Sequence, residues 1–453
     1  MQFKNEFKKK DYKAFDLRNF REIPQISTLS EEHISDIEIV AHVLPFKTNN
    51  YVIDELINWN DPLNDALFKL TFPQKGMLKS IHFRQVKKIL DSKLAKKEII
   101  KQINDIREQL NPHPAGQCEL NIPYFKNNKL EGVQHKYGQT VLFFPSQGQT
   151  CHAYCTFCFR WSQFVSMKDI RFAKSEITSL IEYIKTNTEI SDLLITGGDP
   201  MIMKASILEK YINAILEADI PHLKTIRIGT KSLSFWPYRY LTDDDSEEII
   251  SLFKKIRNAG KLLAIMAHIS HPRELSTAAV KMAIRVIRKT GAQIRTQSPV
   301  FKHINDSAEI WAQMWKKQIN LGCIPYYMFI ARDTGAQHYF ALSLIDAWHI
   351  FRKAYRQVSG IARTVRGPSM SCTPGKIHII GVAKTATEKV IILKFLQGRN
   401  PKWVGKPFFA AYNPKAIWID DLKPAFGEDK FFFEEEMEEI YIKSISDFGL
   451  SDY

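Results

Sequence analysis

Long apolar runs are missing from this chain of 453 residues. None approaches the roughly 20 residues that cross a bilayer, so no transmembrane helix is expected. A disulfide framework is missing too. The six cysteines are Cys118, Cys151, Cys155, Cys158, Cys323 and Cys372, and three of them crowd into eight residues. That is not the spread of paired bridges in a small secreted domain. The first fifteen residues, MQFKNEFKKKDYKAF, hold no apolar core and no cleavage site. No secretory leader is expected, and a reducing cytoplasm fits. Acidic charge is in short supply: 63 Lys and Arg face 49 Asp and Glu, a net +14. Such an excess admits a nucleic-acid partner. It is spread in short runs, such as Lys87 with Lys88 and Lys254 with Lys255, without an Arg-rich arm or an aromatic–basic motif. Spread charge reads as a solvated face, and nucleic-acid binding is not expected. What remains is 45% hydrophobic and 25% charged, enough for one large core with a subdomain.

The cysteines organise the rest. Cys151, Cys155 and Cys158 stand in C-x3-C-x2-C spacing within TVLFFPSQGQTCHAYCTFCFRW, residues 140–161. They follow an apolar run, residues 141–145, that reads as a buried strand ending in a turn-prone Ser146-Gln147-Gly148. A structural zinc would want four ligands in two pairs, and His152 is badly placed to be the fourth. Free core cysteines pack as small hydrophobes, but clustering of this kind is poor support for that reading. Three thiolates can hold three corners of a [4Fe-4S] cluster and leave its fourth iron open as a reactive site. The spacing resembles the signature of the radical S-adenosylmethionine (SAM) enzymes.

Along the chain, residues 1–110 read as a helical region. Ser30 caps a helix start, and residues 80–110 carry apolar positions at helical spacing. Asn111-Pro112-His113-Pro114 breaks the pattern and places a domain boundary. Six short β-branched runs follow, at residues 141–144, 193–196, 225–229, 262–268, 293–298 and 324–330, separated by helical patterns. Repeated βα units predict an α/β fold, an open partial (β/α)6 barrel of parallel strands with its chemistry at their carboxyl ends. The cysteines follow the first strand, and Gly197-Gly198-Asp199 follows the second. A helix over 342–358 leads to a Gly-, Pro- and Ser-rich loop and a strand over 377–382. Residues 111–395 then form the catalytic unit and 396–453 an extension.

Over residues 111–395 the chain resembles the lysine 2,3-aminomutase family of radical SAM enzymes. The resemblance rests on GVQHKY (132–137), the cysteine motif, LLITGGDP (193–200), IRIGT (226–230), HISHP (268–272), RTQSPV (295–300), IND (304–306), PYYMF (325–329) and PGK (374–376). It implies three cofactors: the cluster on the cysteines, SAM, and pyridoxal phosphate (PLP) as a Schiff base on Lys376. It implies that Gly197, Gly198, Asp199 and His268 help to hold SAM and the other cofactors. Lys136, Tyr137, Lys231 and Gln297 take the PLP contacts, and Arg160 grips the substrate α-carboxylate. It further implies transfer of an α-amino group to the β-carbon, a flavodoxin- or ferredoxin-type electron donor, and a homo-oligomer.

The pattern departs where lysine-specific members hold the substrate's distal ammonium with two aspartates. Arg332 stands at the first position, with Asp333 one residue late, and Arg366 stands near the second. Two cations would repel an ammonium and suit a carboxylate. A glutamate-like substrate is therefore expected, while Asp333 keeps lysine open. The loop before Lys376 also differs, which leaves a family member without PLP as the alternative, and a basic iron–sulfur nucleic-acid binder as the alternative from another class. No cysteine follows Cys372, so no carboxyl-terminal zinc is expected.

Overall fold

The computed structural model describes residues 7–117, 120–165 and 177–446; Cys118 lies outside them. Among the described residues, no helix is long and apolar enough to cross a membrane. The amino-terminal region is mainly helical. Ser30 accepts a hydrogen bond from the His33 amide and caps Glu31–Ala41. The helical pattern over 80–110 divides into Ser80–Leu90 and Lys96–Glu108. A two-stranded ribbon, β1 (Ala14–Asp16) with β2 (Lys47–Asn49), was not expected from the sequence. A hairpin, β3 (Tyr124–Phe125) with β4 (Asn128–Lys129), leads into the main sheet.

That sheet has eleven strands. They are β5 (Val133–Tyr137), β6 (Thr140–Phe143), β7 (Asp192–Ile195), β8 (Thr225–Thr230), β9 (Leu262–His268), β10 (Gln293–Val300), β11 (Ile324–Ile330), β12 (Arg366–Ser371), β13 (Gly375–Lys384), β14 (Lys389–Gly398) and β15 (Pro407–Ala411). Each lies beside its sequence neighbours. From β6 to β12 the strands run parallel, and β5 and β13–β15 pair antiparallel at the two edges. The protein is α/β with one large mixed sheet. The segment expected as a loop before Lys376 is instead the seventh parallel strand, β12. Its Gly-Pro-Ser composition reads as loop, but pairing with β11 and β13 overrides that preference. Lys376 is therefore the second residue of β13 and not a loop residue.

Side-chain alternation shows how the sheet divides its faces. On β8, Ile226, Ile228 and Thr230 are buried while Thr225, Arg227 and Gly229 keep partial access; β10 alternates in the same way. Helices connect the parallel strands, as such crossovers require, and cover the outer face. The inner positions face a cavity. Beyond it, β14 and β15 carry an aromatic cluster of Phe395, Trp403, Phe408 and Phe433 that seats the start of the helix Glu434–Ser446.

Candidate active site

A cavity of about 420 Å³ lies against the inner face and the carboxyl ends of the parallel strands. One wall is the cysteine loop after β6; the opposite wall is built by β11, β13 and β14. Cys151, Cys155 and Cys158 all line it, partly exposed. Burial pushes all three thiols up from the ordinary cysteine value. Among the described residues, no group of three or more His, Cys, Asp or Glu is placed to hold one metal ion. A cubic iron–sulfur cluster makes a different demand, since its thiolates bind separate irons, and three cysteines on one loop facing one cavity meet it.

The glycines after β7 abut this loop. The Gly198 amide donates to Gly148 O at 3.0 Å, and the Asp199 amide donates to Thr150 O at 2.8 Å. A Cβ on Gly198 would lie 2.5 Å from Thr150 O and 2.6 Å from Thr150 N, so only glycine lets the two backbones meet. Gly197 sits at φ +151° against the Gln149 side chain.

Asp199 does not line the cavity. Its buried carboxylate accepts from Thr230 Oγ1 at 2.7 Å and from the amides of Met201, Lys231 and Ser232 at 2.9–3.0 Å. It thus ties the turn after β7 to the turn after β8 and has no capacity left for a ligand. Lys231 does line the cavity, but its ammonium is paired with buried Glu274 at 2.7 Å. His268 and Gln297 stand on the same side, at the ends of β9 and β10. Burial, with the Lys231 charge, drives the His268 imidazole well below its ordinary value, so it is neutral.

On the far wall, Lys376 Nζ donates to Gln397 Oε1 at 2.9 Å and lies 4.3 Å from the centre of the Tyr327 ring. Burial lowers its pKa to about 8, helped by Arg227 and Arg366. A partly neutral amine in a cavity is what carbonyl capture requires. Lys136 and Tyr137 stand beside it, Lys136 donating to Cys372 O. Burial lowers the Lys136 ammonium well below its ordinary value. At the deeper end, Arg227 grips Asp192 through two contacts of 2.7 Å.

Two guanidinium groups of the cavity carry unpartnered donors. Arg160 is buried, its Nη1 has no partner, and its Cζ lies 4.3 Å from the centre of the Phe144 ring. Burial lowers its pKa to about 10. Arg332 leaves Nε and Nη2 without hydrogen bonds; Asp333 lies 3.6 Å away, and the Arg332 Cζ is 5.4 Å from the centre of the Phe159 ring. Both arginines line the cavity, but Asp333 and Arg366 do not. Asp333 turns away to Asn111 and Arg332. Arg366 is exposed at the start of β12, against the Tyr326 ring. Asp333 lies in the bend beyond the end of β11, where the chain has already turned from the cavity. Gln397, Arg227 and Asp192 were not singled out from the sequence. Their signal, inward parity on β14, β8 and β7, needs the sheet to be known first.

No family model matches the chain. A protein of Aquifex aeolicus described as "Putative L-lysine 2,3-aminomutase" is 31% identical over 415 residues, covering 92% of this chain and 96% of that protein. The L-lysine 2,3-aminomutase of Escherichia coli is 26% identical, covering 72% and 96%. That of Methanococcus maripaludis is 28% identical, over about half of each chain (52% and 51%). Among solved structures, Streptococcus suis SuiB matches 60% of this chain and 55% of its own at 14% identity, with a TM-score of 0.33. A likeness that slight carries no argument. The full-length match to the Aquifex protein does: the chain belongs to the lysine 2,3-aminomutase family of radical SAM enzymes.

Proposed function

We propose that this aminomutase holds PLP at Lys376 and moves the α-amino group of an acidic amino acid, glutamate or a close relative, to its β-carbon. One observation carries the choice of substrate. Six basic side chains line the cavity (Lys136, Arg160, Arg227, Lys231, Arg332 and Lys376) against one carboxylate, Asp192. That carboxylate is already held by Arg227. Among the described residues, no free anion lines the cavity to receive a lysine ammonium, whereas Arg160 and Arg332 both present unpartnered donors. Buried donors left unpaired are costly, and carboxylates on the substrate would relieve them.

When bound, the cluster with SAM supplies the carbon radical that takes a hydrogen, and PLP supplies the carbonyl that tethers the migrating nitrogen. Cys151, Cys155 and Cys158 would hold the cluster, and the backbone at Gly197 and Gly198 would lie against the methionine end of SAM. Lys136, Tyr137 and Gln297 would flank the PLP. Arg160 grips the α-carboxylate with its planar fork, and Arg332 takes the distal one. Phe157, Phe159 and Phe301 line the space between and keep water from it. We read the parallel strands as the family's partial barrel, lengthened by antiparallel strands at its edges, and the electron source as a flavodoxin or ferredoxin.

The test is anaerobic turnover of reconstituted protein with glutamate and with lysine, scored by chromatography and mass of the β-amino product. β-Glutamate is expected. Turnover of lysine with glutamate inert would overturn the substrate assignment and leave the aminomutase class standing.

A further inference from the structure

The amino-terminal ribbon reaches the cysteine loop. Lys47 Nζ donates to Cys151 O at 2.8 Å, and its own carbonyl accepts from the Tyr154 amide at 2.8 Å. Buried Asn49 donates to His152 O at 3.1 Å and to Phe235 O at 3.0 Å, while its Oδ1 accepts from the Val52 amide at 3.0 Å. One carboxamide thereby fastens the loop after β6 to the turn after β8. Tyr12 adds a hydrogen bond to His152 O at 2.7 Å, and the Thr156 amide is held by Leu70 O at 3.0 Å. The Lys47 ammonium is enclosed by the rings of Tyr12 and Tyr154, 5.9 and 5.8 Å away, and has no carboxylate within ion-pair distance among the described residues. The carboxylate that acts on this half-buried cation from the ribbon is Asp16, its cross-strand partner, which is itself paired with Arg18.

We infer that Lys47 and Asn49 are positioning residues for the cysteine loop, and that Lys47 is the fixed positive charge that favours the reduced state of the cluster bound there. The inference rests on reading the cysteines as cluster ligands. Reduction adds one negative charge to the cluster, and a half-buried cation beside a ligating cysteine stabilises that state by direct attraction. Asn49 has the other task. It fixes the loop before any cluster arrives, so that the three thiols meet the irons already arranged.

The experiment compares full-length wild type, K47M, K47Q, K47R and N49A. Each is reconstituted anaerobically, assayed for iron and sulfide, and titrated potentiometrically with the cluster followed by electron paramagnetic resonance. Hydrogen exchange is measured on the cluster-free proteins. K47M and K47Q should titrate at a more negative potential than wild type, and K47R should return towards it. K47Q, which keeps a donor for Cys151 O, should retain iron better than K47M. N49A should lose iron readily, with exchange at the Tyr154 amide about tenfold faster in the cluster-free protein. Unchanged potentials in both K47M and K47Q would overturn the electrostatic role. Unchanged exchange and iron retention in N49A would overturn the positioning role. If wild type takes up no more iron than Cys151→Ala, the cluster reading itself fails, and exchange in the cluster-free proteins still decides whether the ribbon holds the loop.

Discussion

Lys376 on β13 and Gln397 on β14 are cross-strand partners, and the lysine amine donates to the glutamine carbonyl at 2.9 Å. The sheet's own register thus places an acceptor on the lysine that the family resemblance assigns to the Schiff base. Burial holds that amine down to about 8, so it is increasingly neutral as pH rises through that value. Capture of PLP, trapped with borohydride and located by peptide mass, should climb through about pH 8 and then level. Lys376→Ala should carry no label. Gln397→Leu removes an acceptor that favours the charged form, so its profile should move to lower pH.

Arg332→Asp replaces a half-buried cation by an anion where the distal group of the substrate is proposed to bind. The kcat/KM for glutamate should fall by about 10²–10³-fold, the cost of losing one side of a buried charge pair. Turnover of lysine should rise relative to glutamate. Competition between the two labelled substrates checks the ratio directly.

Gly198→Ala drives a methyl group into the Thr150 backbone. Neither loop has a flexible side chain to yield there, so the strands' ends must part. A loss of about 1–3 kcal/mol in stability is expected from overpacking. Iron retention should fall further than that loss explains, because the displaced segment carries Cys151. Urea unfolding alongside iron assay separates the two.

Glu274→Gln leaves the Lys231 ammonium buried without its carboxylate. The two side chains are 0% and 8% exposed, so solvent screens the pair little. Breaking such a pair costs about 3–5 kcal/mol, while the double change with Lys231→Met should recover much of it. A urea-unfolding double-mutant cycle gives the coupling. No recovery would mean that the loss comes from the hydrogen bonds that Glu274 accepts from the Ser270 and His271 amides and not from the ion pair.

Much of the sheet was legible because its strands are buried on one face and patterned on the other. The runs at 262–268 and 324–330 coincide with β9 and β11, and the other four differ from their strands by one or two residues at an end. The cysteine loop was legible from spacing alone. What could not be read was set by partners distant in sequence. β12 looks like a loop until β11 and β13 flank it. Asp333 and Arg332 are adjacent, and only the direction of the chain leaving β11 decides which faces the cavity. Asp199 sits in a motif that the family resemblance ties to cofactor binding, yet here its carboxylate is engaged by the neighbouring turn. Nothing in the spacing of β2 announces that Lys47 and Asn49 reach residues about a hundred positions later.

The reach of Asn49 also bears on how the protein is made. Its partners are His152 and Phe235, and the glycines that abut the cysteine loop follow β7. All of these leave the ribosome more than a hundred residues before Lys376. During synthesis the wall that carries the cysteines can therefore be organised while the wall that carries Lys376 does not yet exist. The half-built molecule at that stage lacks β12 to β15, and those later strands close over a wall already in place.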